Sequence, residues 1–217
     1  MQPNGFIEDL EERQQAARAS FLGFIRYTYP GFSLVRHHYS LIGEECDRLI
    51  RGEISQLLLC IPYRSGKTEV NRRLQAYLIG LNPTAQITLN TYSEVLTQGI
   101  EKDVFRIVNS PNFKNIFPDN TIHTPGIIDR LQIIDDPIKN HAEVANQAAR
   151  DKAWKKLSAM LFEDGDESKE FNSGVIILTS RFHEDDPIGR LMKHPKANQW
   201  AVVNFEAPMG YTASIEG

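Results

Sequence analysis

Residues 56–68 read Gln-Leu-Leu-Leu-Cys-Ile-Pro-Tyr-Arg-Ser-Gly-Lys-Thr and change character half-way. The first six form a short continuous apolar run, the mark of a strand buried on both faces. Gly66-Lys67-Thr68 then opens a helical pattern that runs to about Ile79. Strand, loop and helix in that order set free backbone N–H groups and the positive end of the helix dipole at the loop, where a phosphate binds. The pattern G-x-x-x-x-G-K-[ST] wants glycine where Ile61 stands, so the alternative is a capped helix with an exposed lysine. On the phosphate reading, Pro62, Tyr63, Arg64, Ser65 and Gly66 line the loop, Lys67 reaches the β- and γ-phosphates, and the Thr68 hydroxyl binds Mg²⁺.

The same grammar continues on both sides. Apolar residues at helical spacing (Ala17, Phe21, Phe24, Ile25) predict one helix from Glu11 to Tyr29, closed by Pro30-Gly31. A second helix is predicted from about Arg36 to Arg51, with Gly52 as its C-terminal cap. Downstream, Gln86–Thr91, Leu131–Ile134, Gly174–Ser180 and Trp200–Phe205 read as strands, separated by helical stretches over about Ser93–Val108, Glu143–Phe162 and Pro187–Lys193. Strands alternating with helices predict an α/β domain whose mainly parallel sheet is covered on both faces. Ligands in such folds bind beyond the carboxyl ends of the strands.

The chain has 217 residues, enough for one large domain with a full core, and no linker divides it. A net charge of −4 argues against a basic coat for nonspecific nucleic-acid binding, so any DNA contact must be local. Cys46 and Cys60, the only cysteines, offer neither a disulfide framework nor a zinc site and fit a reducing cytosol. The longest apolar run, Leu57 to Pro62, is too short to span a bilayer, and the N-terminus lacks a signal-peptide pattern, so no membrane association is expected.

Two further strand ends carry chemistry. After Leu131–Ile134 come Asp135-Asp136-Pro137, the form of a Walker B element: the first acid holds Mg²⁺ and the second orients or deprotonates water. The alternative is a solvated strand end. After Gly174–Ser180 come Arg181-Phe182-His183-Glu184-Asp185-Asp186; Thr179 and Ser180 are placed to sense a γ-phosphate, with Arg181 carrying the signal or binding nucleic acid. The acidic cluster reads either as a metal site or, before Pro187, as a helix N-cap. Arg150, Lys152, Lys155 and Lys156 form a basic helix face, a candidate DNA contact or simply a solvated face.

Together these residues resemble the large terminase subunit of tailed bacteriophages, the ATPase that drives DNA into the capsid. The resemblance runs from FLGFIRYTYPGF and HHYSLI through IPYRSGKTE, YLIGLNPTAQITLNTYS, FP and DDPIKNHAE to TSRFHEDDPIGRLM, nearly the whole chain. It implies an ASCE-type P-loop NTPase: N-terminal helices over 1–55, a core over 56–210, and ATP and Mg²⁺ as ligands. It places Arg64 inside a Walker A loop that tolerates loss of the first glycine, Asp135 and Asp136 on the Walker B and catalytic acid positions, and Thr179 and Ser180 on the coupling motif. Asn90-Thr91-Tyr92-Ser93 matches a further motif after the second strand. His37 and His38 match an upstream motif near the nucleotide, although a histidine pair on a helix is otherwise structural. The implied partners are double-stranded DNA, the small terminase subunit, the portal and further copies in a ring, in the host bacterial cytoplasm.

Two departures qualify this. Relatives carry a longer segment between the FP region and Walker B, so either the gene is shortened, which predicts weakened ATPase activity, or residues are missing before Asp135. A full large terminase also has a C-terminal nuclease domain, and no nuclease activity is expected of this chain. The alternatives are a helicase-like DNA translocase and a noncatalytic nucleotide-binding module or decayed prophage product.

Overall fold

The computed structural model describes residues 4–31, 38–62, 64–119, 123–139, 141–162, 172–205 and 213–216. Three helices lead: α1 (Asn4–Ala19), α2 (Phe21–Thr28) and α3 (His38–Ile50). There follow β1 (Gln56–Cys60), α4 (Lys67–Leu81), β2 (Gln86–Thr91), α5 (Glu94–Val108), α6 (Pro111–Ile116) and β3 (Arg130–Asp135). The chain continues through α7 (His141–Ala145), α8 (Gln147–Phe162), β4 (Ser173–Thr179), α9 (Pro187–Met192), β5 (Ala201–Phe205) and β6 (Ala213–Glu216).

The strand order is β2-β3-β4-β1-β5-β6. The first five are mutually parallel and β6 runs antiparallel to β5. Successive residues of a strand face opposite sides of a sheet, and the core divides accordingly. Leu57, Leu59, Ile61, Leu131, Ile133, Ile176 and Leu178 enter one buried cluster with residues of α2–α6; Leu58, Cys60, Ile134 and Ile177 enter another with α8 and α9. Burial on both faces is why β1 and β4, inside the sheet, read as continuous apolar runs, while β2 at the edge is only partly buried.

The long N-terminal helix is corrected to two. The chain breaks at Ser20, whose hydroxyl accepts from the Gly23 N–H at 3.1 Å, while Asp47 of α3 accepts from the Phe21 N–H at 2.9 Å. The second of these partners comes from another helix, so the break is tertiary. The helix predicted over Glu143–Phe162 also divides, at Asn146, whose side-chain oxygen accepts from Ala149 N–H at 3.2 Å and starts α8. Gly52 does end α3, at φ 67°, with Glu53 N–H bonded to the Arg48 carbonyl at 2.9 Å. Helix α6 and strand β6 add to the elements expected. Among the described residues no helix is long and apolar enough to cross a membrane. Cys46 and Cys60 are free and buried, and burial pushes the Cys60 thiol up to about 12.

Candidate functional site

The loop after β1 begins one residue later than the motif pattern assumes. Ile61 is buried, and its N–H donates to the Thr179 carbonyl at 2.8 Å, extending the β1–β4 ladder past Cys60. A strand residue therefore occupies the position where the pattern wants glycine, and the turn proper starts at Pro62, whose carbonyl accepts from Ser65 N–H at 3.1 Å. Gly66 caps α4 at φ 86°, ψ 12°, a left-handed conformation that suits a residue without Cβ. Ser65 is buried, and its carbonyl accepts from the Tyr39 hydroxyl of α3. Tyr63 and His37 lie outside the described residues. His38 is the first residue of α3.

The three strand-end loops meet over the tip of β4. Lys67 ion-pairs with Asp136 and donates to Ser180 Oγ at 3.2 Å. Ser180 in turn donates from Oγ to the Ile61 carbonyl at 2.8 Å and from its N–H to Asp136 Oδ1 at 3.4 Å. Among the described residues the only positive φ values outside glycine belong to Arg64, at 61°, and Asp136, at 49°. Each costs about 1–3 kcal/mol, and both line the same cleft, so backbone strain is concentrated where the charged groups converge.

Asp135 is the more deeply buried acid, 2% exposed. Its Oδ2 accepts from Asn71 Nδ2 at 2.8 Å, and Asn71 Oδ1 accepts from Gln75 Nε2 at 2.7 Å. Loss of hydration pushes its carboxyl up to about 6, with the Asp136 charge adding to the rise, against the opposing pull of the Asn71 hydrogen bond, Lys67 and Arg72. Asn71 and Gln75 escaped the sequence reading because polar residues on a helix ordinarily mark its solvent face. Here both are buried.

The cleft holds about 660 Å³. Arg64, Lys67 and Thr68 line it with Asp135 and Asp136, together with Arg72, Tyr92, Lys139 and Phe182, which the motifs did not single out as cleft residues. Its size and donor set suit a triphosphate with a divalent cation: a helix N-terminus, a lysine, a hydroxyl at Thr68 and one buried carboxylate. No protein-family model and no curated protein matches the chain.

The third loop is tied to itself. Thr179 and Ser180 are buried at the end of β4, but Arg181 pairs with Asp186 at 2.9 Å and donates to the His183 carbonyl at 3.1 Å. Asp186 is the N-cap of α9, accepting from Gly189 N–H at 2.7 Å with Pro187 next in line, so the cap reading of this cluster holds. Asp185 is held far below the usual carboxylate range by Arg190 and Arg150. Among the described residues no group of His, Cys, Asp and Glu forms a metal cluster. Arg150 is thereby taken out of the basic face; Lys152, Lys155 and Lys156 stay exposed and have no ion-pair partner among the described residues.

Proposed function

We propose that this chain is an ATP-hydrolysing motor domain of the phage large-terminase kind, working on double-stranded DNA with the small subunit, the portal and further copies of itself. The observation that carries the reading is the junction of Lys67, Asp136 and Ser180, which ties the phosphate-loop helix to both other strand ends within hydrogen-bonding reach. The ASCE-type P-loop fold that the resemblance implies draws support from the mainly parallel sheet, in which β4 lies between the loop-bearing β1 and the acid-bearing β3.

Substrate binding draws on the α4 N-terminus, Lys67 and Arg64. Lys67 leaves Asp136 for the β- and γ-phosphates, which frees that carboxylate to orient the attacking water. Thr68 and Asp135 would hold Mg²⁺, which supplies neutralisation of the charge developing on the phosphates. Aspartate in place of the more usual glutamate at 136 is one methylene shorter, and its left-handed backbone re-aims it. Ser180 feels the departure of Lys67 directly, so the β4 tip is the first element to register nucleotide state.

Steady-state ATP hydrolysis on a sample of verified intact mass tests the reading. Turnover that falls by about 100-fold or more in Lys67→Ala, in a protein that circular dichroism shows to remain folded, is the expected result. A wild-type protein that binds ATP without hydrolysing it leaves the noncatalytic module instead.

A further inference from the structure

We infer that Asn71 is a positioning residue for Asp135 and that Gln75 orients Asn71, so that Asp135 Oδ2 is held and Oδ1 alone is presented to the cleft. The inference rests on reading Asp135 as the acid that holds the cation. Asn71 is 0% and Gln75 5% exposed, two primary amides on the inward face of α4, one turn apart and one turn past Lys67. Placing an amide there without a partner costs roughly 1–3 kcal/mol, and apolar residues would fill the same space without that cost.

The hydrogen bonds run in one direction. Gln75 Nε2 donates to Asn71 Oδ1 at 2.7 Å, which leaves Asn71 Nδ2 to donate to Asp135 Oδ2 at 2.8 Å. Turning the Asn71 amide over would set its oxygen against a carboxylate oxygen and its N–H group against another donor, so the chemistry of the neighbours fixes the orientation. Asp135 Oδ1 has no hydrogen-bond partner among the described residues, and Asp135 lines the cleft. A carboxylate free to rotate about χ2 would offer either oxygen or both; this one offers a single acceptor in a fixed place. Partners of this kind behind a metal-holding carboxylate are worth about 10–100-fold in metal affinity or activity.

Three measurements decide it. In nucleotide-free protein, Asn71→Leu lowers the urea midpoint more when Asp135 is present than in an Asp135→Leu background, where only the Gln75 amide is left without its partner. With ATP bound, Mn²⁺ affinity read by electron paramagnetic resonance falls about 10-fold or more in Asn71→Leu, and kcat falls with it while KM for ATP stays within about threefold. Gln75→Met shows the same pattern at smaller size and carries the test if Asn71→Leu does not fold. Equal Asn71→Leu effects in both backgrounds overturn the inference. So does a folded variant with unchanged Mn²⁺ affinity, which would make the pair structural only. If the wild type lacks ATPase activity the motor reading fails, while the denaturation cycle and the Mn²⁺ titration still decide the role of Asn71.

Discussion

Helix α4 passes through two regions built on opposite rules. Along one side, Lys67, Asn71 and Gln75 follow one another at four-residue spacing: Lys67 reaches Ser180, Asn71 holds Asp135 and Gln75 holds Asn71, all of them buried. On its other side Leu74, Tyr77, Leu78 and Leu81 enter the buried cluster that holds an aromatic cap, where Phe21, Phe24, Tyr77, Phe113 and Phe117 pack with ring centroids 5.1 to 6.5 Å apart. In the cap, polar atoms serve the backbone: the Tyr77 hydroxyl donates to the Arg18 carbonyl at 2.9 Å, and Arg51 to that of Ala19 at 2.9 Å. Beside the cleft, side chains also pair with one another, Lys67 with Asp136, Asn71 with Asp135 and Gln75 with Asn71. The cap therefore stabilises the fold, whereas the cleft carries desolvated charge and two strained residues that stability alone does not require.

The largest break in that contrast comes from the cap. Phe24→Ala, at a fully buried ring, is expected to lower unfolding free energy by about 3–5 kcal/mol in a urea titration, with ATPase turnover per folded molecule unchanged. Loss of turnover in the folded fraction would show the two regions to be coupled.

The same operation in the cleft should have the opposite sign. The Asp135 carboxyl titrates near 6 in the fold against 3.8 for the free group, so its ionised form opposes folding. Asp135→Asn is expected to match wild-type stability at about pH 4, to gain on it between about pH 4 and 6, and to exceed it by about 1–3 kcal/mol above that, while losing turnover. A variant less stable than wild type at pH 7.5 would mean that the charge supports the fold after all.

The smallest effect lies at the edge of the aromatic cap. Asp47, on α3, caps α2 and is partly buried; loss of hydration raises its carboxyl to about 6, against the pull of the Phe21 N–H and Arg51. Wild type should lose stability relative to Asp47→Asn as pH rises from about 4 to 7, by less than about 1 kcal/mol because solvent screens the site. Parallel pH series of the two melts check the slope, and a rise with pH contradicts it.

Much of this was legible in the residues. The inner parallel strands β1 and β4 announced themselves because both their faces are buried, and Gly66-Lys67-Thr68, Asp135 and Asp136 lay at strand ends, where a sheet of this kind gathers its ligands. What escaped notice depends on partners distant in sequence. The break at Ser20 needs Asp47, 27 residues on from its own position. Arg181 was read as a signal carrier, and its pairing with Asp186 across the loop was not foreseen; Asn71, a polar residue on a helix, carried no sign of its burial. Tyr39 lay inside the HHYSLI stretch with no role assigned to it, yet its hydroxyl secures the loop at Ser65.

The seat of β4 between β1 and β3 also works as a gauge. Neighbouring strands lie about 4.8 Å apart, so the interposed strand sets the loop-bearing and acid-bearing strands about 10 Å from each other. Lys67 meets Asp136 across that gap, and Ser180 touches both banks, through the Ile61 carbonyl and Asp136. A sideways slip of this one strand would widen one half of the gap as it narrowed the other, and both banks would register it in the same movement.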